Sequence, residues 1–330
     1  MMMWRFKFVL YFSLGLVIFL SFFISLTGNS ADSGNNVPST IYLNDDAENR
    51  LALDPVLRFS MSTHYLSVDG IAYAREEGVK SFTMSPLNIR SNMGVKDILI
   101  YDFELDWRVS LRNHLNVEYL FGKESGSGHI GSPTGFNDHY WTEAGETDGG
   151  IALNCLQVGW NYRALDLYGD LGRYGLDLGL GVMGIRSYIS FAPEAKEEQL
   201  DTEQLFAPFM PYASIRSEWR PKPKVIFGFD GKLAGLEDFN PDLSALDLKP
   251  RPSAGIYYHA TLYAQYPLND YLSLTGGLDY YVTEVDFDGI EDDLDLASNE
   301  LELRMLGAYL GVNFNDPHDI LISAWRGLLR

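Results

Sequence analysis

The feature that most constrains this chain is a period-two alternation of apolar and polar residues that returns in segment after segment, while the 3.6-residue period of amphipathic helices is scarcely present. The clearest run sets Leu99, Tyr101, Phe103, Leu105, Trp107, Val109 and Leu111 against Ile100, Asp102, Glu104, Asp106, Arg108 and Ser110. One face is apolar and the other charged, which is a strand between two different environments. After Arg112, Asn113 and His114 the pattern resumes with Leu115, Val117, Tyr119 and Phe121 against Asn116, Glu118, Leu120 and Gly122, which predicts a hairpin with a tight turn.

Equivalent runs lie around Leu156–Arg163, Leu176–Met183, Ala213–Trp219, Val225–Lys232, Ile256–Tyr266, Leu272–Tyr280 and Leu306–Phe314, with an opening strand near Pro55–Ser67. That makes ten strands. Their connections alternate long and short, at about 68–96, 112–114, 123–150, 164–173, 191–207, 220–223, 236–254, 267–270 and 285–299. Such regularity predicts an all-β fold: a closed antiparallel up-and-down transmembrane β-barrel, apolar outward and polar inward, with short turns at one mouth and long loops at the other. Closure is compulsory in lipid, because an open sheet edge leaves backbone groups unpaired at several kcal/mol each. Trp107, Trp160, Tyr162, Trp219, Tyr266 and Phe314 fall near the short-turn ends, where an interfacial aromatic girdle belongs.

The N-terminus agrees with export. Arg5 and Lys7 precede an apolar run from Phe8 to Ile24, and Gly28 and Ser30 suit cleavage before Ala31. Residues 1–30 are expected to be a signal peptide, 31–54 a periplasmic segment, 55–314 the barrel and 315–330 a C-terminal extension. The competing reading is an uncleaved anchor helix holding a soluble periplasmic β-sandwich, since the run approaches the roughly 17 to 25 residues a spanning helix needs. A net charge of −20 repels polyphosphate and excludes nucleic acid as a partner. The single cysteine, Cys155, excludes an internal disulfide and every site built on paired cysteines.

The stretch Met305–Phe314 resembles the terminal-strand signal of Gram-negative outer-membrane β-barrel proteins, carried by Gly307, Leu310, Val312 and a closing Phe314. The resemblance implies residence in the outer membrane among lipid and lipopolysaccharide, and recognition of this strand by the barrel assembly machinery. One departure is that the chain continues for sixteen residues, Asn315–Arg330. There Ile320, Leu321, Ile322, Trp325 and Leu328 would form either a periplasmic helix or an eleventh strand paired with an unrecognised first one, giving twelve.

Inward-facing charges are expected at Asp102, Glu104, Asp106, Arg108, Glu118, Arg163, Asp177, Arg216, Glu218, Asp230, Lys232, Asp279, Glu302 and Arg304. They would form either an ion-paired network filling a narrow lumen or the acidic wall of a cation-favouring pore. His64 and His259 are expected to be hydrogen-bonding lumen residues, and Cys155 a small interior one. Ten-stranded barrels include the omptin surface proteases, whose acidic pair and Asp/His dyad at the outer mouth suggest Asp138 and His139 with Asp286 and Asp288 as catalytic candidates; the family's paired motifs are not recognisable here. The acidic run Asp286, Asp288, Glu291, Asp292, Asp293 and Asp295 fails the helix-loop-helix calcium pattern, with Gly289 fourth and Ala297 twelfth. Solvated loop charge is the expectation, with a divalent cation bridging to lipopolysaccharide phosphates as an alternative. No phosphate loop, nucleophile elbow or metal-binding histidine pair is present, and no cofactor is expected. The reading is of a non-enzymatic membrane scaffold or narrow pore with acidic outer loops.

Overall fold

The computed structural model describes residues 55–75, 87–131, 134–136, 139–141, 144–169, 172–193, 201–221, 225–237, 251–269, 271–290 and 296–316. The expected signal peptide, periplasmic segment and most of the C-terminal extension, including the eleventh-strand alternative at Ile320–Leu328, lie outside the described residues.

Ten long strands form the wall: β1 (Leu57–Arg75), β3 (Asp97–Arg108), β4 (Asn113–Ile130), β7 (Gly145–Gly169), β8 (Gly172–Pro193), β9 (Asp201–Arg220), β10 (Ile226–Glu237), β11 (Arg251–Pro267), β12 (Leu272–Ile290) and β13 (Leu296–Asn315). Three short ones accompany them: β2 (Leu87–Asn88), paired with β1, and a separate hairpin of β5 (Thr134–Phe136) and β6 (His139–Trp141). Each long strand pairs antiparallel with its chain neighbours, and β1 pairs with β13 from Arg58↔Asn315 to Arg75↔Ser298. The ring is therefore sealed, and the sandwich alternative falls.

Both described ends of the barrel stand at the mouth with tight turns. At β3–β4, Val109 N donates to Asn113 O at 2.9 Å; at β11–β12, Leu268 N donates to Leu272 O at 2.8 Å. The other mouth carries the long connections. Between them the outer surface is an apolar belt, in which Leu180 and Leu310 expose 71% and 70% of their surface. On β3 the belt runs from Leu99 to Trp107; at about 3.3 Å per residue and a tilt near 40°, that spans roughly 20 Å of height, close to the ~25 Å band of an outer-membrane barrel.

The wall does not stop where the belt stops. Strands of up to 25 residues far exceed the ~9 to 11 needed to cross a bilayer. The segments expected as loops at 123–150 and 285–299 are largely strand: β4 and β7 pair up to Ile130↔Gly145, and β12 and β13 up to Ile290↔Leu296. Their sequence hides this because the polarity of the wall inverts. On β4 the outward residues change from Leu115, Val117, Tyr119 and Phe121 to the exposed Lys123, Ser125, Ser127 and His129. Within one or two residues of the same height the inward side changes the other way: from His64 to Leu66 and Val68 on β1, from Asp102 to Ile100 and Ile98 on β3, and from Glu118 to Leu120 on β4. A barrel leaving lipid for water must turn its greasy face inside, since apolar area removed from water contributes about 25 cal/mol per Å².

The outer storey thus has a hydrophobic core, with Ile151, Met183, Ile189, Phe191, Met210, Leu301 and Leu303 buried from several walls. A fill-in segment completes it. Strand β3 begins only at Asp97, so the upper edges of β1 and β4 lack a common neighbour, and residues 87–96 occupy that place. Ile89 N donates to Gly70 O at 3.0 Å and Val68 N to Lys96 O at 2.8 Å on one side; on the other His129 N donates to Ser91 O at 3.0 Å, and Thr147 Oγ1 bonds Asn92 O. Leu87, Ile89, Met93 and Val95 are completely buried in the core. Met93 lies against Gly149, where an added Cβ would stand 2.4 Å from the Met93 Cβ.

Candidate functional site

Below that core the inward side chains form a charged chamber within the apolar belt. Alternate residues of β1, β3, β4, β9, β10, β11, β12 and β13 enclose a cavity of about 90 Å³. Five carboxylates (Asp102, Glu104, Glu118, Asp230 and Asp279) and three fixed cations (Arg58, Arg216 and Lys232) line it. Pairing across the lumen satisfies most of them, as buried charge requires.

Arg216 is the hub. Its guanidinium donates to Asp230 Oδ2 at 2.8 Å on neighbouring β10, and reaches β3 on the facing wall, with Glu104 Oε1 at 2.7 Å and Asp106 Oδ2 at 3.2 Å. Lys232 on β10 crosses likewise to Glu118 on β4. Arg58 bonds Asp106 Oδ2 at 2.9 Å and approaches Glu218 at 3.9 Å. Glu218 also holds Arg220 at 2.8 Å and accepts from Tyr263 at 3.1 Å. Arg163 forks onto Asp177, and His114 Nδ1 lies 2.9 Å from Asp106. Glycines leave room for the larger groups: the Tyr263 ring lies over Gly228 and the Tyr212 ring over Gly181, where an added Cβ would come within 2.1 and 2.5 Å.

Under the roof of the chamber is a tighter cluster. Asp279, fully buried, contacts His64 Nδ1 through Oδ2 at 2.5 Å and accepts from Thr261 Oγ1 through Oδ1 at 2.6 Å. His259 Nε2 lies 3.4 Å from the same Oδ1 and 2.9 Å from Thr261 Oγ1. The far side of His64 meets Ser62 Oγ at 2.6 Å. Aromatic rings fix both imidazoles: Tyr309 stacks on His64 at 4.8 Å and Tyr281 on His259 at 3.9 Å.

The structure brings Asp102, Glu104, Asp106, Glu118, Arg163, Asp177, Arg216, Glu218, Asp230, Lys232 and Asp279 to the inside, and Arg108 to the same face of β3 at the short-turn mouth. Glu302 and Arg304 are corrections. Leu301, Leu303 and Met305 hold the inward places, so Glu302 and Arg304 share the outward face of Leu306 and pair with each other there. A salt bridge on that face is tolerable because it lies above the belt, in water. Cys155 is buried against Gln157, and Gly307, Leu310, Val312 and Phe314 all lie on closing strand β13.

The catalytic candidates are not assembled into a described site. Asp138 lies outside the described residues and His139 opens β6. Asp286 and Asp288 belong to β12, opposite Glu300 and Ser298 of β13, and not to a loop; Glu291, Asp292, Asp293 and Asp295 lie outside the described residues. Among the described residues no group of three or more His, Cys, Asp or Glu side chains is placed to hold a metal ion. Sequence reasoning missed Arg58, Ser62, His114 and Thr261 as members of the inner network. Inward parity on β1 was the available signal for Arg58 and Ser62.

No family model matches the chain, and no curated protein matches it. Among solved structures it is similar to the outer membrane protease OmpT of Escherichia coli, at 11% identity over 78% of this chain and 96% of that one, with a TM-score of 0.45. It is also similar to the translocator domain of the autotransporter NalP of Neisseria meningitidis (11% identity, 84% and 100% covered, TM-score 0.40) and to the outer membrane protein OprG of Pseudomonas aeruginosa (10%, 78% and 97%, 0.31). The sealed even-numbered ring, the apolar belt and the alternation of tight turns with long connections make this chain an outer-membrane β-barrel.

Proposed function

We propose that this protein is a sealed barrel that anchors a folded β-storey and its loops on the far side of the outer membrane, and that it does not conduct. The observation that supports this reading is the apolar core standing directly above the charged chamber, with the fill-in residues Leu87, Ile89, Met93 and Val95 inserted into it. A hydrophobic constriction of this kind excludes ions by dewetting, and the bridges beneath it tie opposite walls together. Residues 1–30 serve as an export signal and 31–54 as a periplasmic segment; the assembly machinery engages β13, and outward Lys123 faces lipopolysaccharide.

Planar-bilayer recording of the full-length refolded protein tests the reading. Folding is verified by a change in gel mobility between boiled and unboiled samples. The expected result is no discrete current steps; stable single-channel steps from the folded form would overturn it. Mass spectrometry of the exported protein checks the processing, with Ala31 expected as the first residue.

A further inference from the structure

We propose that Ser62, His64 and Asp279 form a nucleophilic triad in the luminal chamber, competent to cleave a small uncharged or cationic carboxylic ester. Three side chains from two strands stand in the order that nucleophilic catalysis needs: nucleophile against base, base against an orienting acid. Ser62 Oγ lies 2.6 Å from His64 Nε2, and His64 Nδ1 lies 2.5 Å from Asp279 Oδ2.

The network also fixes the tautomer. Asp279 accepts from Thr261 and, as a carboxylate, has only acceptors to offer His64. Nδ1 therefore carries the ring proton, and of the two acceptors within reach of the Ser62 hydroxyl, His64 Nε2 at 2.6 Å and Asp102 Oδ2 at 3.4 Å, the nearer is the imidazole nitrogen. The Tyr309 ring, 15° from coplanar with the imidazole, holds His64 in that orientation. A strand makes this arrangement simply, because residues two apart share one face.

Ser62, His64 and Asp279 all border the cavity of about 90 Å³, room for roughly six water-sized positions at about 15 Å³ each. That is space for a short acyl group and not for a peptide or a lipid. The excess of lining carboxylates over fixed cations disfavours an anionic substrate. A second cavity at the short-turn mouth, lined by Pro55, Glu218 and Arg220, shares Arg58 with the chamber, so a substrate entering there must displace the Arg58 and Arg216 bridges to reach Ser62.

In the reaction Ser62 Oγ bonds to the ester carbonyl carbon while its proton passes to His64 Nε2. The tetrahedral adduct collapses, the ester C–O bond breaks, and His64 returns the proton to the departing alkoxide, releasing the alcohol. Water, deprotonated by the same Nε2, then attacks the acyl-serine; the carboxylic acid leaves and Ser62 regains its proton. Only water is consumed beside the ester.

The test uses the full-length folded barrel in detergent micelles, with folding checked by heat-modifiable mobility. Methanesulfonyl fluoride followed by peptide mass spectrometry is expected to place the adduct on Ser62, and Asp279→Asn to suppress it. Ethyl acetate hydrolysis, followed as acid release, is expected to fall about 100-fold or more in Ser62→Ala, the lower end of what a positioned base contributes. A folded Ser62→Cys variant is expected to be alkylated by iodoacetamide. Equal ester turnover in the parent protein and folded Ser62→Ala would overturn the proposal, as would a folded Ser62→Cys that iodoacetamide leaves unmodified.

Discussion

Arg216 on β9 donates to Glu104 on β3 at 2.7 Å although the two strands stand on facing walls of the ring, with β4, β7 and β8 between them on one side. The lumen is narrow enough here for one side chain to tie it shut. Arg216 also holds Asp106 and Asp230, so Arg216→Met takes the paired cation from Glu104 and Asp230, while Asp106 keeps Arg58. Breaking a buried pair from one side costs about 3 to 5 kcal/mol. Equilibrium unfolding in lipid vesicles should show a loss of that order, and adding Glu104→Gln should recover part of it. Unchanged stability in Arg216→Met would mean that the bridge contributes nothing.

Position along the barrel, and not outward direction alone, should set the cost of a surface charge. Leu310 lies in the middle of the belt, and Leu310→Arg is expected to destabilise by about 2 to 4 kcal/mol, the cost of a basic residue near a bilayer midplane. Ser125 faces outward on β4 but above the belt, and Ser125→Arg should shift stability by less than about 0.5 kcal/mol. Urea titration of both variants in vesicles makes the comparison.

The outer storey should behave as an ordinary hydrophobic core. Phe191 is fully buried there, so Phe191→Ala is expected to cost about 3 to 5 kcal/mol. A polar, water-filled interior at this height would tolerate the change, and equilibrium unfolding distinguishes the two.

The fill-in segment at 87–96 depends on a glycine of β7, which it packs against directly. A side chain at Gly149 would drive into Met93, whose Cα as well as Cβ lies within 3 Å of the added atom. Gly149→Val should therefore displace the segment while leaving the ten-stranded ring closed. Faster proteolysis after Arg90 or Lys96, both exposed, with heat-modifiable mobility retained, is the expected outcome.

How much of this was legible in the sequence follows from how much contrast each stretch carried. Strand β3 was plain, because lipid outside and carboxyl groups inside oppose Leu99–Trp107 to Asp102–Asp106 as sharply as side chains can. Upper β4 was hidden, because Lys123–His129 face water while Gly126 and Gly128 on the opposite face yield to the backbone of the fill-in segment; strand geometry persists there without hydrophobic alternation. Arg304 is within reach of a parity argument, since it lies an even number of residues from the outward Leu306 and Leu310; its charge marks water above the belt and not the lumen. The Ser62–His64–Asp279 arrangement was out of reach, because His64 and Asp279 are 215 residues apart and meet only through the β13 closure.

The central claim is that the wall inverts its polarity where it leaves the membrane, and the outward face of β4 tests it most directly. Single nitroxide labels at 117, 119, 121, 123, 125 and 127, placed in a Cys155→Ala background in vesicles, report collision with oxygen dissolved in lipid or with a water-soluble nickel chelate. Lipid-like accessibility at 117, 119 and 121 and water-like accessibility at 123, 125 and 127 is the result predicted. Lipid-like accessibility continuing through 127, or water-like accessibility already at 119, would contradict the account.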